Sequence, residues 1–326
     1  MASSSISPRR QLVAGITLAV VFVISFPSSG VAQGMEKVRI GIPVLAMSQL
    51  PVLLAQEKKL FQAEGFDAEV IQIRTALAIP AIVSGELDFT TSAETVVRAA
   101  ISGMPVRAIG FIGIRSSLVL VSQPRITSVT ALKGGKIAVS SLRSTTDFVA
   151  RDLLRHHGLN PDTDVVTLPL GSEANKLAAL KGGAVDAAIF TLPDDSIAEE
   201  QGFKRLAFAA DFVEGVQSGL ATSMKRIKEN PGQVKRMARV LVRSLELSRT
   251  DRGYAVEFIM RQWKVSRRVA EQSYDLMVRT FSPNGEAPEK SIRDLIEEVR
   301  GDQKIERPIA LSEVVDFSFV REALKR

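Results

Sequence analysis

Apolar and polar positions alternate along KVRIGIP (37–43), as on a half-buried strand. SQLPVLLAQEKKLFQAEG (48–65) then switches to helical spacing, with Leu53, Leu54, Leu60 and Phe61 marking the apolar side. Ser48 is placed to cap this helix and Gly65 to stop it. The alternation of element types continues. DAEVIQI reads as a strand, ALAIPAIVSG as a helix, LDFTT as a short buried strand, AETVVRAAISG as a helix and VRAIGFIG as a strand. After IRSSLVLVSQ (114–123) a second cycle starts. KGGKIAVSS, DVVTLPL, VDAAIF and KRLAFAA read as strands, and STTDFVARDLLRHHG, SEANKLAALKGG and DDSIAEEQG as the helices between them. Strands separated by helices predict βαβ units and a mainly parallel sheet in each cycle, so the expected class is α/β with two similar lobes. After SGLATSM (218–224) the strand pattern stops. NPGQVKRMARVLVRSLELSR opens with Asn230 as cap and Pro231 at the first helical position. Helical segments over 254–264, 266–280 and 288–300 complete a helical tail, expected to pack on one of the two sheets.

One sequence pattern occurs in both cycles. IVSGELDFTTSAE (82–94) and LKGGAVDAAIFTLPD (180–194) each run helix, Gly, two residues, Asp, strand, polar turn. The Gly serves the reversal at the helix end. Asp88 and Asp186 then fall at the amino end of a strand, whereas open α/β sheets bind ligands beyond the carboxyl ends. Both aspartates are therefore expected to cap turns and backbone. The polar turns that follow, Thr90–Glu94 and Thr191–Asp194, are the better candidates for contact with a ligand.

Composition narrows the chemistry. The chain has 326 residues, a net charge of +6 and no cysteine. The absence of cysteine excludes disulfides, thiolate nucleophiles, zinc fingers and iron–sulfur clusters. The positive charge is too diffuse for a nucleic-acid footprint. SPRRQLVAGITLAVVFVISFPSSGVAQG begins with Arg9 and Arg10, continues in an apolar run over Leu12–Phe26 and ends in small residues. This is the form of a cleaved export signal over residues 1–32, short for a membrane span. Removing the two arginines leaves a mild positive excess. His156 and His157 are the only histidines. They end a predicted helix before Gly158, where they suit its last carbonyls better than a metal or nucleophile site. There is no Walker lysine motif.

The segments LPVLLAQEKKLFQAEGFDAEVIQ, IVSGELDFTTSAE, LKGGKIAVSS, RDLLRHHGLNPDTDVVTLPLGS, LAALKGGAVDAAIFTLP and ENPGQVKRMARVLVRSLE stand in a characteristic order. Together they resemble the extracytoplasmic solute-binding proteins of ABC importers. The branch they resemble includes the nitrate-, sulfonate-, taurine- and thiamine-pyrimidine-binding proteins (the NMT1/THI5-like or SsuA-like group). The resemblance implies a two-lobed periplasmic binding protein (type II). Lobe one would hold residues 36–114 plus 223–326 and lobe two residues 115–222, with crossings near Gly113–Ser117 and Gln217–Thr222. It implies hinge closure on a small anionic solute (sulfonate, nitrate, carboxylate or a related heteroaromatic) and no cofactor. It also implies a monomer in the periplasm that delivers to a separate permease and ATPase, with no nucleic-acid partner. Relatives on this fold that make the thiamine pyrimidine carry a Cys-rich motif that is missing here; an exported enzyme is the alternative reading.

The carboxyl ends of the strands supply the candidate contacts. In lobe one these are Met47, Ser48, Gln49, Thr91, Ser92 and Glu94. In lobe two the turn SSLRSTTD offers Ser140, Ser141, Arg143, Ser144 and Thr145 where a strand hands over to a helix, a form suited to an anion. Arg143 would add a bidentate grip on an oxyanion. Thr191, Leu192 and Asp194 complete that side, and Arg115 at the crossing is a second cation. The same residues allow an amino acid, with Arg143 on the carboxylate and Glu94 or Asp194 on the ammonium. No Trp or Tyr precedes Tyr254, which disfavours a sugar.

Overall fold

The computed structural model describes residues 34–325 and the first two residues of the chain. The expected export signal lies outside the described residues. Among the described residues no helix is long and apolar enough to cross a membrane. Residues Met35–Arg326 cluster as one compact unit.

The strands in chain order are β1 (Glu36–Ile42), β2 (Phe66–Gln72), β3 (Phe89–Thr90), β4 (Val106–Phe111), β5 (Val119–Ser122), β6 (Lys136–Val139), β7 (Val166–Pro169), β8 (Ala187–Phe190), β9 (Lys204–Phe208) and β10 (Gly219–Ser223). They form two five-stranded sheets with one topology. The first runs β2-β1-β3-β10-β4 and the second β7-β6-β8-β5-β9. In each, three strands pair in parallel, and one strand, β10 or β5, is inserted antiparallel to both its neighbours. The sheets are therefore mixed rather than purely parallel, with four of the five strands sharing a direction. Helices flank both sheets, as expected.

The inserted strand corrects the expected second crossing. Residues 219–222 are not linker and do not belong to lobe two. They are most of β10, buried throughout, and they pair with β3 and β4 of the first sheet. The crossings lie side by side over residues 112–118 and 213–218. The Gly113 N–H donates to the Ser218 carbonyl (3.0 Å), and the Gln217 N–H donates to the Gly113 carbonyl (3.0 Å). Residues 280–282 of the tail run along their other side, with the Ile114 N–H on the Thr280 carbonyl and the Ser282 N–H on the Ile112 carbonyl. The packing is close at Gly113: a Cβ would stand 3.2 Å from Gln217 Cβ and 3.3 Å from Ser218 Oγ.

The first predicted helix is broken. A 3-10 turn at Met47–Gln49 precedes a helix over Leu50–Glu57, and a second short helix spans Leu60–Ala63. Gln49, not Ser48, stands at the cap position, and Pro51 sits in the first turn. Lys59 takes a left-handed conformation (φ 55°) at the break. The tail helix Pro231–Thr250 packs on Leu50–Glu57 and on the last helix, Ser318–Leu324. Helix Arg267–Met277 instead reaches the second lobe. Ser266 donates to Glu200 (2.7 Å), and the buried hydroxyls of Ser273 and Ser196 meet at 3.3 Å. One hydrophobic core lies around the first sheet, extends under the tail and continues onto the second sheet through Val119, Val121, Ala188 and Phe190. A smaller one, with Leu120, Ile137, Leu153 and Ile189, belongs to the second sheet.

Candidate functional site

The two repeated aspartates occupy equivalent structural positions. Asp88 Oδ2 accepts the Arg39 N–H of β1 (2.6 Å), and Asp186 Oδ2 accepts the Lys136 N–H of β6 (2.8 Å). Each also pairs with an arginine three residues past the inserted strand: Asp88 with Arg226, and Asp186 with Arg125. Both therefore tie strand starts together at the end of the sheet away from the cleft.

At the opposite, carboxyl ends of the first sheet lies a cavity of about 310 Å³. Ser48 and Gln49 reach it from the turn after β1, and Thr91, Ser92 and Glu94 from the turn after β3. Thr145 comes from the second lobe. These six were expected from the sequence. Pro43, Val44, Thr75, Thr95, Gln217 and Ser218 also line it. Thr75 starts the helix that follows β2, so the carboxyl-end rule would have found it. Gln217 and Ser218 fell within the expected second crossing, but the carboxyl-end rule selects turns after strands and passed over them.

The polar atoms of the first lobe are unusual. Gln49 is 1% exposed, Thr91 2% and Ser92 7%. Yet Gln49 Oε1, Thr91 Oγ1 and Ser92 Oγ have no hydrogen-bond partner. A buried polar atom without a partner costs about 1–3 kcal/mol. All three residues line the cavity, while these particular atoms are closed off from it.

The second lobe is different. Lys176 is fully buried, with its ammonium donating to Glu173 (3.0 Å), the Ile189 carbonyl (2.5 Å) and Ser140 Oγ (3.4 Å). Burial raises the pKa values of Glu173 and Asp194, and Lys176 opposes this in both. Lys176 was invisible as a site-side group in the sequence, where it reads as the solvent face of a helix.

The other expected contacts fall outside the cavity. Met47 and Leu192 are buried in the core. Ser144 caps the helix Thr145–His156, accepting from the Asp147 N–H and donating to the Ser141 carbonyl (2.6 Å). Ser140 gives its N–H to Thr146 Oγ1 (2.9 Å). Ser141 and Arg143 are exposed, and the Arg143 N–H, on left-handed backbone (φ 61°), donates to Asp147 Oδ2 (2.7 Å). Thr191 and Asp194 stand at the start of the helix Asp194–Glu200, where the Asp195 N–H donates to the Thr191 carbonyl (3.2 Å). Arg115 pairs with Glu214 (3.5 Å) across the two crossings. Neither expected cation lines the cavity. The histidines are remote: they end a helix whose start is at the cavity, about 17 Å away along its axis. There they pack on Phe212 (ring centroids 4.5 and 5.1 Å), and burial lowers the His157 pKa.

Two sheets of one topology, paired crossings and a polar cavity at the carboxyl ends define the two-lobed periplasmic-binding-protein fold. The first lobe supplies most of that cavity. The chain belongs to the NMT1/THI5-like family, whose model matches residues 47–251, more than half of its length. No curated protein sequence gives a significant match. Among solved structures, the periplasmic sulfonate-binding protein SsuA from Methylobacillus flagellatus KT superposes with a TM-score of 0.70 at 19% identity. That match covers 90% of this chain and 94% of that one. The periplasmic aliphatic sulphonate binding protein SsuA from Escherichia coli gives 0.67 at 17%, covering 85% and 91%. The desulfurization enzyme DSZB gives 0.62 at 15%, covering 89% and 99%. At these identities the likeness establishes the fold.

Proposed function

We propose that this protein is the periplasmic solute-binding component of an ABC importer, exported by a cleaved signal. It closes by hinge motion on a small organic solute between its lobes and presents it to a separate permease and ATPase. The observation that carries this reading is the polar cavity at the carboxyl ends of the first sheet, where Ser48, Gln49, Thr91 and Ser92 are joined by Thr145 from the other lobe and by Gln217 and Ser218 from the crossing. A ligand stabilises the closed form only by touching both lobes, and this cavity offers contacts from both. The sulfonate-binding neighbours are consistent with it. An oxyanion would rest here on hydroxyls and helix starts alone, since Arg143 and Arg115 stand outside the cavity.

The enzyme reading draws on the DSZB neighbours, one of which was solved as a cysteine-to-serine mutant with biphenyl-2-sulfinic acid. This chain has no cysteine. The test is a thermal-shift and calorimetric screen of the purified protein, followed by small-angle scattering. A true solute raises the melting temperature by mass action, reduces the radius of gyration and is recovered unchanged. Conversion of the bound compound by the protein alone would refute the transport reading.

A further inference from the structure

We infer that the hinge has a third crossing, residues 279–282 of the tail, whose hold on the second lobe keeps the lobes in the arrangement that forms the cavity; only the hinge motion is taken from the solute-binding reading above. The strands at the hinge have a fixed order. Residues 112–114 lie between two partners. On one edge Gly113 exchanges backbone bonds with Gln217 and Ser218, which line the cavity. On the other edge the Ile114 N–H donates to the Thr280 carbonyl (2.9 Å) and the Ser282 N–H to the Ile112 carbonyl (2.7 Å). The tail therefore completes a three-stranded ribbon on the side away from Gln217 and Ser218.

This short segment is held by a different lobe at each end. At one end the guanidinium of Arg279 pairs with Asp211 and lies over the ring of Phe208 (5.2 Å), both in the second lobe. At the other end the Ser282 carbonyl accepts from Arg249 of the helix Pro231–Thr250 (2.7 Å). The Gly285 carbonyl, just beyond, accepts the Phe111 N–H of β4 (2.7 Å). Four residues thus pass from one lobe to the other, as 112–118 and 213–218 do.

The helix that leads into this segment, Arg267–Met277, is fixed to the first lobe and grips the second. The Tyr274 hydroxyl donates to the Ser248 carbonyl (2.9 Å). The preceding helix, Arg252–Trp263, holds Glu57 through Tyr254 (2.5 Å) and Arg261 (2.6 Å). On the opposite side the Ser273 hydroxyl donates to Ser196 Oγ (3.3 Å). Ser196 in turn donates to Asp195 (3.3 Å), and Arg205 reaches Ser196 (3.4 Å), Asp195 (2.8 Å) and Glu199 (2.5 Å). Ser273, Ser196 and Asp195 are fully buried. A network closed off from water has no solvent to replace a bond it loses. In this arrangement Thr145 of the second lobe lines one cavity with the first-lobe turns. Contacts made in one arrangement and lost in another favour the first, so the third crossing favours closure.

The test reads the lobes without a solute, so its failure leaves the solute-binding reading standing. The chain has no cysteine. Ala76→Cys on the first lobe and Ser141→Cys on the second, both at exposed positions, therefore give one spin label on each side of the cleft. Pulsed electron paramagnetic resonance on the purified, doubly labelled protein measures the distribution of distances between them. We expect Ser273→Ala combined with Arg279→Gln to raise the ratio of open to closed forms about two- to tenfold. The mean distance should lengthen by about 2 Å or more, the scale of a domain rearrangement. Ser273→Ala leaves Ser196 its bonds to Asp195 and Arg205, so the second lobe keeps its fold. Arg267→Ala removes a pair with Glu257 inside the tail and should leave the distances unchanged. An unchanged or shortened distance in the combined variant overturns the third crossing. So does an equal shift in Arg267→Ala, which would assign the effect to a general loosening of the tail. Failure of every small molecule to bind the unlabelled protein would instead refute the solute-binding reading, and the distances would still decide the third crossing.

Discussion

Replacing Asp88 or Asp186 by alanine should destabilise the protein without changing solute affinity, and by unequal amounts. Each aspartate accepts one backbone N–H, at 2.6 Å for Asp88 and 2.8 Å for Asp186. A charge-assisted bond of this kind contributes roughly 1.5–3 kcal/mol. The ion pairs separate the two. Asp88 and Arg226 are each 17% exposed, whereas Arg125, the partner of Asp186, is 65% exposed. The exposed pair is screened and adds about 0–1 kcal/mol. The sheltered one adds on the order of 1–2 kcal/mol, because its loss strands a half-buried guanidinium. Asp88→Ala should therefore cost roughly 3–4 kcal/mol and Asp186→Ala roughly 2. In a chain of this size that lowers the melting temperature by roughly 6–16 °C and 4–8 °C. Asparagine keeps an acceptor for the N–H but loses the charge, so Asp186→Asn should recover more of its deficit than Asp88→Asn. Urea titrations followed by circular dichroism, with calorimetric affinities alongside, measure all four variants. Loss of solute affinity at wild-type stability would refute the capping role. A larger loss at Asp186 than at Asp88 would refute the exposure argument.

Burial pushes the Asp195 carboxyl up to about 6, against the pull of Arg205. The unfolded chain loses this proton at about pH 4 and the folded protein only at about pH 6. The group's contribution to stability therefore falls as pH rises between those values and is flat above them, a change on the order of 3 kcal/mol. Asp195→Asn should flatten that window in a pH series of urea midpoints. Lys176→Met should cost roughly 3–5 kcal/mol, because it strands the Glu173 carboxylate, and adding Glu173→Gln should restore much of the loss in a double-mutant cycle. Gly219→Ala places a Cβ 2.2 Å from the Gly110 carbonyl oxygen and 2.7 Å from Phe111 Cα, both backbone. It should lower stability by about 3 kcal/mol or more, read as rapid proteolysis or a collapsed urea midpoint.

Long periodic stretches carried most of the fold in the sequence. The helix Pro231–Thr250 begins where Pro231 was read as the first helical position, and the βαβ alternation reproduces both parallel halves. What escaped was short and buried on all sides. GLATS has no alternation to report because both of its faces are covered, so β10 read as linker. The break at Lys58–Lys59 was hidden by good helix formers on either side, since propensity is silent about a left-handed residue imposed by packing. At the site, the carboxyl-end rule found the turns but not which members point inward. The turn SSLRSTTD shows the limit. Its Ser, Thr and Asp residues read as an anion cradle, but they satisfy one another locally, with Ser144, Thr146 and Asp147 closing on their own backbone.

The two lobes use one topology for different ends. Aligning the repeat on Gly85 and Gly183 sets Thr75 against Glu173 and Ala78 against Lys176. Ala78 and Lys176 are both fully buried. Where the first lobe has a methyl group, the second inserts an ammonium that binds Glu173, Ser140 and the Ile189 carbonyl. The second lobe thereby fills the polar space at its carboxyl ends with an ammonium, although Glu173 Oε2 and Asp147 Oδ1 have no partner there, while the first keeps a cavity lined by Gln49, Thr91 and Ser92. The first lobe supplies most of the cavity's lining, and the second supplies Thr145. A solute should therefore dock first on the first lobe, and the second should close over it through Thr145. The repeat copies a scaffold, and one buried position in it, alanine or lysine, separates the binding half from the closing half.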